Sequence, residues 1–155
     1  MLQEAFVVTD GSSGNNGDGG WGAIVATPYF GVEIWGWEEG TTNNRMEMMA
    51  ALKGMQFLPE GYHVSLVSDS AYLLNTLSKG WYRKWFEDED KNAYRRPNIK
   101  LWHELTDEVK RHEMTYIKVK GHNGHEHNER VDKLAVQARK EKISGTFSLY
   151  GNTSD

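Results

Sequence analysis

The run Ala5-Phe6-Val7-Val8-Thr9-Asp10-Gly11-Ser12 decides how the rest of the chain is read. Phe6 to Thr9 are apolar or β-branched strand formers, and the run ends in an acid followed by glycine. A Gly-rich stretch to Gly20 reads as a turn-rich loop. Strand character resumes over Trp21 to Thr27 and again over Val32 to Trp37, split by Pro28 and Gly31, so three strands form an antiparallel meander. Thr41-Thr42-Asn43-Asn44 supplies cap residues for a helix from Arg45 to about Leu58, before Pro59. Apolar residues nearly encircle that helix, which predicts a mostly buried one. Val64 to Ser68 is a short strand ending at Asp69, and Ser70 to Ser78 is a helix. Ile99 to Arg111 predicts a helix and Thr115 to Val119 a strand. Lys120 to Asn128 predicts a polar, His-rich loop. From Glu129 to Glu141 a helix is expected, with Val131, Leu134, Ala135 and Ala138 on one face. Strands come first and αβα alternation follows, so the expected class is α/β: a mixed sheet with helices on its faces. Residues 1–142 make one domain on this reading, and 143–155, rich in Gly, Ser, Thr and Asn, a flexible C-terminal tail.

Composition narrows the function. A chain of 155 residues suits a single domain with a real core. It has no cysteine, which excludes disulfides and zinc–thiolate sites. The formal net charge of −4 argues against a simple basic nucleic-acid coat protein. Mean hydropathy is −0.69, and no apolar run approaches the roughly 18–20 residues of a membrane helix. The opening Met1-Leu2-Gln3-Glu4 has no basic or apolar leader character, so a cytoplasmic setting is expected.

Four acids stand where chemistry is expected. Asp10 and Asp69 close two strands, Glu47 lies in the first turns of a helix, and Asp132 near the start of the last one. Open α/β sheets build their sites at the carboxyl ends of strands. Clustered carboxylates repel one another, and hard divalent cations relieve that repulsion. An oxygen-only ligand set suits Mg²⁺ or Mn²⁺. Two such ions can hold both the attacking and the leaving oxygen of a phosphodiester. The cluster of His122, His125 and His127 suggests zinc ligands, but no cysteine or fixed fourth ligand accompanies it, and the histidines read as loop residues.

The words around these acids carry a resemblance. Thr9-Asp10-Gly11-Ser12, Thr41-Thr42-Asn43-Asn44-Arg45-Met46-Glu47, Ser68-Asp69-Ser70 and Lys120-Gly121-His122 through Glu129-Arg130-Val131-Asp132 occur in that order. Together they closely resemble the type 1 ribonuclease H family. The likeness covers roughly residues 3–140. It implies a ribonuclease H-like fold: a five-stranded mixed sheet, its first three strands antiparallel, flanked by helices. It also implies an endonuclease that hydrolyses the RNA strand of RNA–DNA hybrids by two-metal-ion catalysis, leaving 5′-phosphate and 3′-hydroxyl ends. By resemblance, Asp10, Glu47, Asp69 and Asp132 are the metal-binding catalytic quartet, His122 a loop histidine that moves protons or releases product, and Glu129 an acid with a role in turnover. Two Mg²⁺ ions are the implied cofactor, with Mn²⁺ a substitute. A monomer with an RNA–DNA hybrid as partner, and no membrane, is expected.

Hybrid recognition depends on telling a 2′-OH strand from a DNA strand. By resemblance Asn15, Asn43 and Asn44 touch the hybrid, with Asn15 and Thr42 seating a DNA phosphate. Residues 79–100 match a basic handle that grips the DNA strand and carries Trp81, Lys84 and Trp85. The spacing of Trp81 and Trp85 equally fits packing of a handle helix onto the body. Two positions depart from the family. Ala71 stands where many relatives have Gln. Phe86-Glu87-Asp88-Glu89-Asp90 replaces a basic run, leaving a local charge of +3. Two other readings stay open: a different nuclease of the same superfold, such as a transposase, resolvase or exonuclease core, and a non-catalytic binding module.

Overall fold

The computed structural model describes residues 2–88, 96–120 and 126–151. Three antiparallel strands come first: β1 (Gln3–Ser13), β2 (Gly19–Ala26) and β3 (Gly31–Glu38). Helix α1 (Asn43–Gln56) follows, then β4 (Tyr62–Ser68), α2 (Ala71–Lys79), α3 (Tyr82–Glu87), α4 (Ile99–Val109), β5 (Glu113–Lys118), α5 (Glu126–Glu141) and β6 (Gly145–Tyr150). The sheet order is β5-β4-β1-β2-β3-β6. β4 runs parallel to both β1 and β5, so the sheet is mixed as expected.

The sheet has six strands where five were expected. The sixth corrects the reading of 143–155 as a loose tail. Gly145 to Tyr150 pairs antiparallel with β3, and Gly145 lies flat on Trp35, where a Cβ would come within 2.7 Å of the indole. Tyr150 Oη donates to the Thr27 carbonyl at 2.8 Å. The Gly, Ser and Thr content of 143–155 concealed the strand formers Phe147, Leu149 and Tyr150, whose large side chains stay exposed at the sheet edge.

Most of the core lies between the sheet and α1. Met46, Met48, Leu52 and Met55 are fully or almost fully buried there, against Val7, Val25 and Val32 of the sheet. This explains why α1 is apolar nearly all round. The Thr42 hydroxyl caps it by accepting from Arg45 N at 3.2 Å. A smaller cluster of Val8, Ile24, Val67 and Val131 seats α5 on the opposite face. The six tryptophans divide between these layers and the handle. Trp102 is wholly buried and Trp21 nearly so, covering Gly36.

Candidate active site

Register brings the first two acids together. The parallel pairing of β1 and β4 runs up to Val8 opposite Val67. Asp10 and Asp69 each lie two residues beyond that pair, so neighbouring strands release them side by side. Thr9, buried, locks the strand ends by donating from its hydroxyl to the Val67 carbonyl at 3.2 Å. Glu47 arrives from α1, which packs directly on the bare backbone of Gly11. Asp10, Glu47 and Asp69 offer oxygens that all lie within 4.8 Å of one another. Asp132, from the first half of α5, lines the same cleft but falls outside that tight set.

Electrostatics follows from this crowding. Burial, then the Asp69 charge, pushes the Asp10 carboxyl up to about 7, with Asp132 adding to the rise. Burial and the charges of Asp10 and Asp69 push Glu47 up to about 10. A proton between Glu47 and Asp10 relieves some of the repulsion through a side-chain hydrogen bond. Gly11 N–H donates to Asp10 Oδ1 at 2.9 Å and favours its ionised form. Glu47 Oε2 is nonetheless buried with no hydrogen-bond partner among the described residues. A buried carboxylate oxygen without a donor is costly unless something cationic meets it. The donor set is all oxygen, which fits a hard divalent ion such as Mg²⁺ or Mn²⁺.

The remaining residues fall around this centre. Asn43 and Asn44, on the first turn of α1, line the cleft beside Ser70, Ala71 and Tyr72. Glu129 lines an adjoining lobe with Asp10, Asp69, Asp132 and Lys120. Asn15 is exposed at the β1–β2 turn, away from the acid cluster. Its turn is tied to the cap of α1 by the hydrogen bond from Thr41 N to Gly17 O at 2.8 Å, which brings the segments of Asn15 and Thr42 into one surface. His122 lies outside the described residues. Trp85 packs against the core, its ring centroid 5.8 Å from that of Trp102, with the Arg96 guanidinium 3.8 Å from its own. Trp81 is 42% exposed, and Lys84 is exposed too. Two residues escaped the sequence reading. Tyr72 lines the cleft and stacks toward Trp85 at 6.5 Å. Arg45 joins the end of β3 to α4, donating to Glu38 at 2.7 Å and to Asn98 Oδ1 at 3.2 Å. Tyr72 was findable as the first large ring after Asp69. Arg45 carried no signal beyond its place after Asn44.

The family model for RNase H matches residues 3–140 of the chain. The chain belongs to the RNase H family. A Ribonuclease H of Chlorobaculum parvum is 45% identical over 145 residues, covering 92% of this chain and 99% of the relative. One of Acetivibrio thermocellus is 44% identical over 138 residues, covering 87% of this chain and 94% of the relative. Among solved structures, LC9-RNase H1, described as a type 1 RNase H with the type 2 active-site motif, superposes with a TM-score of 0.79. It is 25% identical, and the match covers 95% of this chain and 78% of that one. As an RNase H family member the chain is an enzyme, a metal-dependent endoribonuclease in kind. The family's fold accounts for the antiparallel meander and the parallel β4, while β6 extends past the matched residues. Among the described residues, no helix is long and apolar enough to cross a membrane.

Proposed function

We propose that this enzyme hydrolyses the RNA strand of RNA–DNA hybrids endonucleolytically, leaving 5′-phosphate and 3′-hydroxyl ends. The observation that carries the reading is the cluster of Asp10, Glu47 and Asp69 oxygens within 4.8 Å of one another in an RNase H fold, with Glu47 Oε2 buried and unpartnered among the described residues. Asp10, Glu47, Asp69 and Asp132 are the residues to hold two Mg²⁺ ions, with Mn²⁺ as substitute. Bound there, the ions supply an activated water and charge stabilisation of the leaving 3′ oxygen.

The chain's own groups do the rest by positioning. Strand register sets Asp10 and Asp69 side by side on neighbouring strands, so the backbone already holds the two carboxyls in one place. Asn43 and Asn44 face the groove of the hybrid from the rim of the same cleft. Asn15 and the cap of α1 at Thr42 form a neighbouring polar surface for a DNA phosphate. Trp81 and Lys84 present an exposed ring and a cation to the DNA strand, while Trp85 supports them from below. Glu129 and His122 are assigned to turnover, exchanging protons or easing product departure near the cleft. The enzyme acts as a monomer in the cytoplasm on this reading.

The test is cleavage of end-labelled RNA–DNA, RNA–RNA and DNA–DNA duplexes with Mg²⁺ or with chelator. Cutting of the hybrid alone, dependent on the metal and abolished by Asp10→Asn, supports the assignment. Metal-independent cutting, or full activity in Asp10→Asn, removes it. Metal-dependent binding of hybrid without cutting turns the protein into a binding module.

A further inference from the structure

Helix α5 carries Asp132, and it is only partly seated on side chains: Val131 packs among Val8, Ile24 and Val67, but Leu134 and Ala135 rest on the bare backbone of Gly22 and Gly20. A Cβ at Gly20 would collide with the Ala135 carbonyl, and one at Gly22 would lie 2.8 Å from Leu134 Cβ and from the Val131 carbonyl. Helices normally take their orientation from side-chain ridges seated in grooves. Those glycines allow close approach but offer no ridge of their own, so along this stretch the helix is indexed by the Val131 seat and by contacts from its sides.

Two arginines are placed to do this. Arg130 and Arg139 are nine residues apart, which at about 100° per residue puts them on opposite sides of the helix. Arg139 Nε reaches Ser12 Oγ on β1 at 3.2 Å. Arg130 reaches the other way, to Glu33 on β3, through two parallel bonds of 2.6 and 2.8 Å. Asp132 lies close to the Arg139 side of the helix, facing the acid cluster. Glu33 is only 5% exposed, because β6 covers β3: Phe147 is its register partner and Leu149 borders the same hollow. Glu33 is buried while the Arg130 side chain is 47% exposed, and the two parallel bonds of the fork restrict this half-buried pair more than a single-bonded surface pair is restricted.

We propose that the Glu33–Arg130 fork sets the roll of α5 and so holds Asp132 at the acid cluster, making the two a positioning pair for the fourth carboxylate. This rests on the reading, given above, that Asp132 shares the metal site. When the fork is lost, α5 rolls by a small angle about the Val131 seat, over Gly20 and Gly22, and the Asp132 carboxylate moves relative to Asp10 and Asp69.

The test separates positioning from stability. Replacing both partners by apolar residues of similar size removes the fork without leaving the Glu33 charge buried and unpaired, which is the costly way to break such a pair. The variant Glu33→Leu/Arg130→Met is compared with wild type by melting temperature, by kcat and KM on an RNA–DNA hybrid, and by calorimetric titration with Mn²⁺ alone. The expected result is a near-unchanged melt, an unchanged KM, kcat lower by about 10-fold, and weaker Mn²⁺ binding. Wild-type kcat and Mn²⁺ affinity in that variant, whatever its melting temperature, would overturn the proposal. Arg130→Lys, which keeps the charge but not the fork, is read in the same way if the double variant fails to fold. Asp132→Asn separates the two claims. If it keeps wild-type Mn²⁺ affinity and kcat, the placement of Asp132 at the metal site fails and the positioning role with it. If it loses them while the double variant does not, only the positioning role fails.

Discussion

Gly11 and Glu47 meet backbone to backbone: a Cβ on Gly11 would lie 2.6 Å from the Glu47 nitrogen and 2.8 Å from the Met46 carbonyl carbon. The glycine after the first acid is therefore the seat of the helix that delivers the second. Neither neighbouring atom is the end of a flexible side chain, so the contact cannot yield cheaply. Gly11→Ala is expected to push α1 away from β1. Activity should fall by about 10-fold or more through displacement of Glu47. Steady-state kinetics together with a melt checks this, and an active, equally stable variant would refute it.

The acid cluster makes metal-free stability depend on pH with a defined sign. Asp10 is raised to about 7 and Glu47 to about 10, both above their unfolded values near 4. Across that interval the folded state binds more protons than the unfolded state. Stability therefore falls as pH rises, first through the range of Asp10 and then on toward that of Glu47. In chelator, the melting temperature is expected to drop between pH 5 and 9. Added Mg²⁺ should restore more stability at pH 9 than at pH 5, since deprotonated ligands bind it. Asp10→Asn should raise the metal-free melting temperature at high pH while abolishing cleavage. Calorimetric melts over that pH range decide the matter.

The acidic stretch of the handle is expected to weaken substrate binding. Glu87 ends α3 and is exposed, followed by Asp88, while Glu89 and Asp90 lie outside the described residues. Replacing residues 87–90 by Ser should tighten hybrid binding at physiological salt. Replacing them by Lys should tighten it further and steepen the salt dependence by roughly 0.7–0.9 per added phosphate contact. Equal affinity and equal salt slope in all three proteins would show that this stretch faces away from the hybrid.

Trp81 and Trp85 separate into two roles. Trp85 is wedged among Trp102, Tyr72 and Arg96, whereas Trp81 is exposed with Lys79 5.7 Å from its ring. Trp85→Ala should destabilise by about 2–4 kcal/mol, somewhat less than a fully buried ring. Trp81→Ala should leave the melt unchanged and weaken hybrid binding. Denaturant titrations paired with binding isotherms on the two variants distinguish these effects.

Strand β6 should contribute measurably to stability although it lies at a sheet edge. Its loss removes the pairing with β3 and the Tyr150–Thr27 hydrogen bond, and it exposes Glu33. Ending the chain after Ser144 is expected to lower the melting temperature by about 5 °C or more, since each kcal/mol moves a domain of this size by roughly 2–4 °C. An unchanged melt would mean that β6 only decorates the edge.

The order of elements as far as α5 was legible in the sequence because most of them are encoded locally. Strand formers end in acids at Asp10 and Asp69, Thr42 caps a helix whose apolar residues surround it, and Val131 to Ala138 mark one face of the last helix. The net charge of −4 is likewise matched by the four acids of the cleft, and the motif order was enough to indicate the family. Other features rest on partners far apart in the chain, which no local pattern announces. Residues 145–150 read as a tail because strand pairing with β3 is supplied by residues more than a hundred positions away. Trp85 was separable from Trp81 only once Trp102 filled the space beneath it. The sequence by itself determined which carboxylates are present and which elements carry them. Only packing between distant segments brings the Asp10, Glu47 and Asp69 oxygens within 4.8 Å of one another and leaves Asp132 in the same cleft but outside that set, because strand register, a bare glycine backbone and the seating of a helix are not local properties.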